Sequence, residues 1–123
     1  MINLYNIDCM KFMADKPDKY YDLAIVDPPY GIGIGGQVGS NKAQWTKYEN
    51  KEWDTLPPDD KYFIKMKRIS KNQIIWGANY FSVFPSRCFL VWDKMIGDNN
   101  FSMAELAYTS FNTPSKIFKH YHG

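Results

Sequence analysis

The residues of this chain best suited to chemistry stand in one run, "IVDPPYGIG" at 25–33. Asp27 brings a carboxylate, Pro28 and Pro29 bring rigid backbone, and Tyr30 brings a flat ring. Proline has a fixed φ and no N–H, so it cannot extend a ladder. The chain must therefore leave its sheet at Asp27, and the carbonyls of Asp27 and Pro28 become available as acceptors. A carboxylate, a rigid carbonyl and an aromatic face together complement a flat substrate that carries an amino group. The acceptors hold the N–H hydrogens while Tyr30 stacks on the ring. An Asx turn is the plainer reading of Asp27, but it leaves most of the nine-residue run without a purpose.

The flanking elements must deliver Asp27 to a site. "DLAIVD", 22–27, has four apolar residues in a row, which fits a strand covered on both faces. In an open α/β sheet, ligands bind outside the carboxyl ends of the strands, and Asp27 stands at such an end. Upstream, "INLYNI" (2–7) reads as a short strand ending at Asp8, and "CMKFMADKP" as one or two helical turns closed before Pro17. Downstream, 57–71 reads as a helix. Prolines and Asp59 and Asp60 open it, basic residues close it, and Tyr62, Phe63, Met66 and Ile69 form its buried stripe. "QIIWG", "CFLVWDK" and "AELAYTSF" read as strands, "ANYFSVFPS" as a short helix or turn, and 116–122 as a weak final strand. The order predicts an α/β sandwich with a largely parallel sheet in a single domain spanning 1–123.

Between Gly31 and Trp53 all periodicity is lost. A structureless stretch longer than about 15 residues is usually functional or disordered, so a mobile substrate loop is expected at about 31–52. Gly31, Gly33 and Gly36 spell G-x-G-x-x-G, but "QVGSNKAQW" follows where a dinucleotide-binding helix should open. They are read as glycines that loosen a loop.

Composition narrows the function classes. A net charge of +2 over 123 residues permits a nucleic-acid partner without arguing for one. The basic run from Lys61 to Lys71 has helical spacing and reads first as a solvated helix face. Aromatic residues reach 17%, which fits either an aromatic core or a site for flat ligands. For Trp76, Tyr80 and Trp92 the core is the simpler reading, and Asp93 and Lys94 read as a strand-end cap. Cys9, Cys88, His120 and His122 lack the spacing of a zinc site, so no metal is expected. Two lone cysteines and the lack of a charged start with an apolar h-region point to a soluble protein of the cytoplasm.

The Asp-Pro-Pro-Tyr run and its surroundings resemble the S-adenosylmethionine-dependent amino-methyltransferases, in particular the DNA adenine-N6 methylases of bacteria and phages. "INLYNIDCMKFM", "YDLAIVDPPYGI", "IIWGANYF", "FLVWDK" and "AELAYTSF" carry the match, from about Ile2 to Phe111. The resemblance implies a Rossmann-like methyltransferase fold, with Asp27, Pro28, Pro29 and Tyr30 as catalytic residues. It implies S-adenosylmethionine as cofactor, met by Asp8, Cys9 and Asp27, and double-stranded DNA with a flipped adenine as substrate. Asp8 also reads as the N-cap of the helix that follows it. Lys42, Lys47 and Lys51, interleaved with Trp45 and Tyr48, would let the loop close over the flipped nucleotide.

One family feature is missing. No F-x-G-x-G cofactor loop follows a strand, and in the subgroup with an early catalytic motif that loop lies towards the C-terminus. The chain therefore reads as an incomplete, truncated catalytic half that a second polypeptide or self-association would complete. An RNA or protein-glutamine N-methyltransferase and a non-catalytic nucleic-acid-binding remnant are the alternatives. The first more often carries Asn before Pro-Pro-Tyr, and the second would not bind S-adenosylmethionine.

Overall fold

A computed structural model describes residues 1–30, 58–97 and 101–121. Helix α1 (Cys9–Ala14) begins where the Asp8 side chain accepts from the Lys11 amide at 3.1 Å, and it buries Met13. Strand β1 (Tyr21–Val26) follows. Helix α2 (Asp60–Ile69) is capped by Asp59, whose side chain accepts from the Tyr62 amide. Phe63, Met66 and Ile69 are its buried stripe, and Tyr62 is half-buried beside them. Strand β2 (Ser70–Trp76) starts without an intervening loop. A single 3-10 turn, Ala78–Tyr80, leads on to β3 (Phe89–Asp93), β4 (Ala104–Thr109) and the short, exposed β5 (Lys116–Lys119).

The five strands form one sheet in the order β1-β2-β4-β3-β5. The α/β class is as expected, but the sheet is mixed rather than largely parallel. β1 pairs with β2 and β3 with β5 in parallel, whereas β4 runs antiparallel to both β2 and β3. The cause is the link from β3 to β4, residues 94–103. It is too short for a helical crossover, which a parallel neighbour would need.

The basic stretch of α2 is also more than a solvated face. Arg68 donates from Nη2 to the Met13 carbonyl at 2.8 Å and from Nη1 to the Lys16 carbonyl at 2.7 Å, and it pairs with Asp18 at 3.0 Å. One guanidinium fork thus fastens the end of α1 to α2. Lys67 lies over the Phe84 ring at 4.0 Å, and Lys71 pairs with Asp22 at 2.9 Å.

Both helices pack on one side of the sheet. There Met13, Phe63, Met66, Ile69, Ile75, Ala78 and Tyr108 form the core, flanked by Ala24, Val26, Phe89 and Leu106. Successive strand residues face opposite sides, and β2 shows it plainly. Gln73 and Ile75 are buried, while Asn72, Ile74 and Trp76 are only half-buried. The register continues the open face across the sheet: Ile25 sits opposite Ile74, Trp76 opposite Ala107, and Trp92 opposite both Glu105 and Phe118.

Among the described residues no helix covers that second face. β1 is therefore not the doubly covered strand its composition implies, since Leu23 and Ile25 are exposed at 41% and 61%. Nor do residues 2–7 form a strand. Ile2 and Leu4 are about nine-tenths exposed, and without a hydrogen-bonded neighbour the segment has no ladder to join.

Candidate active site

Strand β1 ends at Val26, and the chain turns away through Asp27, Pro28, Pro29 and Tyr30. Pro28 is buried and Asp27 is exposed, so the prolines anchor a carboxylate that faces outwards. The Tyr30 hydroxyl donates to Asp27 Oδ1 at 2.5 Å. A carboxylate offers about four lone-pair positions, so this bond orients Asp27 and leaves acceptor capacity for a substrate. Burial, and then the hydrogen bond and the negative charge of Asp27, push the Tyr30 phenol well above the ordinary tyrosine range, with the Glu105 carboxylate adding to the effect. Tyr30 therefore stays a donor throughout the physiological range.

The sequence reading assigns the Tyr30 ring to a substrate. In the structure one ring face is occupied: Tyr30 stacks on Tyr80 with centroids 4.7 Å apart and planes 12° apart, and it meets Phe81 at 5.9 Å. The stack needs Gly77. That residue has φ +79°, a left-handed conformation that suits glycine. A Cβ built there would lie 2.2 Å from Tyr30 Cε1. The loop after β2 thus forms the bed on which Tyr30 lies. Gly77, Tyr80 and Phe81 are site residues that sequence reasoning left out, although "WGANYF" holds a signal: a glycine between a strand and two adjacent aromatic residues.

Beside Tyr30 a cavity of about 320 Å³ opens on the helix-free face of the sheet. Tyr30, Trp76, Trp92 and Phe118 supply its aromatic walls, and Lys94 and Glu105 are its charged groups. Trp92 and Phe118 stack at 6.4 Å with planes 4° apart, and Trp76 meets Phe118 edge-on at 6.3 Å. The Trp92 Nε1–H donates to the His120 carbonyl at 2.9 Å, which fixes the indole. The tryptophans are therefore cavity walls rather than core, and Tyr80 is a stacking partner. Lys94 is not a strand-end cap. Its Nζ lies 2.5 Å from Glu105 Oε1, with side chains only 13% and 26% exposed. Asp93 does act locally, accepting from the Met95 amide at 2.9 Å.

Asp8 and Cys9 are exposed at the start of α1. The hydrogen bond from the Lys11 amide gives Asp8 the capping role. Its carboxylate retains further lone pairs, so capping does not preclude a ligand contact. No hydrogen bond, ion pair or ring contact among the described residues joins Asp8 or Cys9 to Asp27. Both cysteines are free thiols, Cys88 buried and Cys9 exposed. No group of His, Cys, Asp and Glu that could hold a metal ion occurs among the described residues. The loop expected at 31–52 lies outside them. No helix among them is long and apolar enough to cross a membrane.

The chain is similar to Type II methyltransferase M2.MboI of Moraxella bovis, with 26% identity over 128 aligned positions. The alignment takes in 88% of this chain and 46% of that protein, so the chain spans about half the length of the relative it matches. No family model matches the chain.

Proposed function

We propose that this chain carries the catalytic half of an S-adenosylmethionine-dependent DNA adenine-N6 methyltransferase. The observation that carries the reading is the Asp27–Tyr30 pair at the carboxyl end of β1, in a segment similar to a Type II methyltransferase. The exocyclic amine of adenine is a poor nucleophile because its lone pair is delocalised into the ring. Hydrogen bonds from N6 to the Asp27 carboxylate and to the Pro28 carbonyl localise that pair and aim it. Tyr30, protonated and bonded to Asp27, keeps the carboxylate oriented as an acceptor. Preorganised positioning and electrostatics of this kind supply most of the rate in such chemistry.

A base must leave the duplex to reach Asp27, at a cost of a few kcal/mol. Stacking against aromatic side chains, worth roughly 1–3 kcal/mol per base, offsets it, and the cavity beside Tyr30 offers such walls. The chemistry of the open donor set fits the cofactor in part. Asp8 and Asp27 are exposed carboxylates that suit the hydroxyl and cationic groups of S-adenosylmethionine, and Cys9 stands beside the first. When bound, S-adenosylmethionine supplies the electrophilic methyl group.

Transfer of tritiated methyl to mixed-sequence DNA tests the reading, with and without a polypeptide corresponding to the rest of the relative's length. Digestion to nucleosides should put the label on N6-methyladenine. Label on RNA or on glutamine side chains, or no transfer at all in the complemented enzyme, would sink it.

A further inference from the structure

We infer that Lys94, held in place by Glu105, reads the ring-nitrogen edge of the target base and determines specificity in the cavity beside Tyr30. The inference deepens the proposed function and rests on it for the identity of the ligand as a nucleobase. Four observations carry it. The cavity, about 320 Å³, falls at the low end of the roughly 300–1,000 Å³ typical of small-molecule sites. Its walls are flat rings, and one of them, Trp92, is fixed both by stacking on Phe118 and by its hydrogen bond to the His120 carbonyl. Tyr30 is both a wall and the donor to Asp27, so the cavity and the candidate catalytic carboxylate share one residue. The charged groups within it are a close ion pair, largely shielded from water among aromatic walls.

A shielded ion pair is weak evidence for stability, because desolvation offsets most of its attraction. It does, however, present a cation with fixed direction. An ammonium has three donors, and Glu105 takes one. The ammonium also lies 5.8 Å from the centre of the Trp92 ring, so the donors that Glu105 leaves stand against an aromatic wall of the cavity. The complementary edge is an unprotonated ring nitrogen next to an exocyclic amine, as in N1 and N6 of adenine. Guanine presents an N1–H there and would set donor against donor. The amine faces Asp27 and the ring nitrogen faces Lys94, so one edge is read at two points.

The test uses oligothymidylate with one central nucleotide: deoxyadenosine, its 7-deaza analogue, or its 1-deaza analogue, which alone lacks N1. Binding to the chain is followed through the indole N–H resonances of Trp76 and Trp92. Loss of a hydrogen bond to a charged donor should weaken the 1-deaza oligonucleotide by about tenfold, with the 7-deaza form unchanged. In Lys94→Met the deoxyadenosine oligonucleotide should fall to the 1-deaza level, so the two bind alike, and Lys94→Arg should restore part of the difference. Equal binding of all three by the unsubstituted chain overturns the proposal, and this arm needs no folded variant. Discrimination that survives in Lys94→Met, or an absence of any indole shift, overturns it too. Methyl transfer is scored separately in the complemented enzyme. Transfer to adenine without N1 discrimination removes Lys94 from its role and leaves the proposed function standing. Discrimination without transfer does the reverse.

Discussion

The two faces of the sheet, built from alternate residues of the same strands, do different work. On the helix side Ile75 is fully buried, and Gln73, 2% exposed, donates from Nε2 to the Ser70 carbonyl and hydroxyl. One residue further on, Trp76 turns to the other face and lines a cavity. The helix side carries the closely buried aliphatic and aromatic packing expected of a folding core. The opposite face carries half-buried rings, a shielded ion pair and the exposed Leu23 and Ile25. Core packing and the proposed base-binding cavity are thus separated by a single step along β2. A substitution on the helix side should unfold the chain, and one on the open face should disable it while leaving it folded.

The largest effect expected from this contrast is on the helix side. Ile75→Ala removes a fully buried side chain and should destabilise by about 2–5 kcal/mol, read from chemical denaturation. Trp76→Ala, its neighbour, should cost distinctly less and instead weaken binding of an adenine-containing oligonucleotide. If the two destabilise equally, the separation of the faces is wrong.

Asp27→Ala comes next. It removes an exposed carboxylate, so the melting temperature should stay nearly unchanged, while methyl transfer by the complemented enzyme should fall at least about 100-fold, the scale of losing one preorganised electrostatic contact. Transfer near the unsubstituted rate would remove Asp27 from the chemistry.

Gly77→Ala tests the joint between the faces. A left-handed φ costs a non-glycine residue roughly 1–2 kcal/mol, and the added methyl would collide with the Tyr30 ring. The expected outcome is modest destabilisation with a larger loss of transfer, because Tyr30 must leave its seat on Tyr80. A stability loss with transfer intact would mean that the bed under Tyr30 is dispensable.

What could be read from the sequence was local. Helix α1 announces itself through Asp8 as a cap, and α2 through its opening prolines and aspartates and the period of Phe63, Met66 and Ile69. The exit of the chain at Asp27 follows from two prolines. The antiparallel course of β4 was hidden, because the short link from β3 decides it only once β3 and β4 are known to be neighbours, and no local period encodes that pairing. The segment 2–7 has strand composition and yet no neighbour to pair with. Lys94 and Glu105 sit in unrelated stretches and meet only through the pairing of β3 with β4. Tyr30 and Tyr80 are likewise far apart in sequence, so the hydroxyl of Tyr30 found its partner in the motif while its ring found one outside it.

The smallest expected effect concerns alkaline stability, and it separates the same two regions by titration. Burial pushes Tyr62, on the helix side, up to about 12, while the phenol of Tyr30 is raised by burial and by Asp27. In the unfolded chain both should titrate near pH 10. Above that pH the unfolded state has lost protons that the folded state still holds, so stability falls as pH rises. It is intact below about pH 10 and declines from there through about pH 12 as far as Tyr62 governs it. Tyr62→Phe should flatten the decline and leave transfer untouched, since the ring keeps its packing against Phe63. Tyr30→Phe should also flatten it, but it removes the donor to Asp27 and should lower transfer. Denaturation midpoints between pH 8 and 12, set beside transfer rates at pH 8, check both. An unchanged transfer rate in Tyr30→Phe would show that Asp27 needs no anchor, and an unchanged alkaline slope in Tyr62→Phe would show that its phenol is not confined by the core.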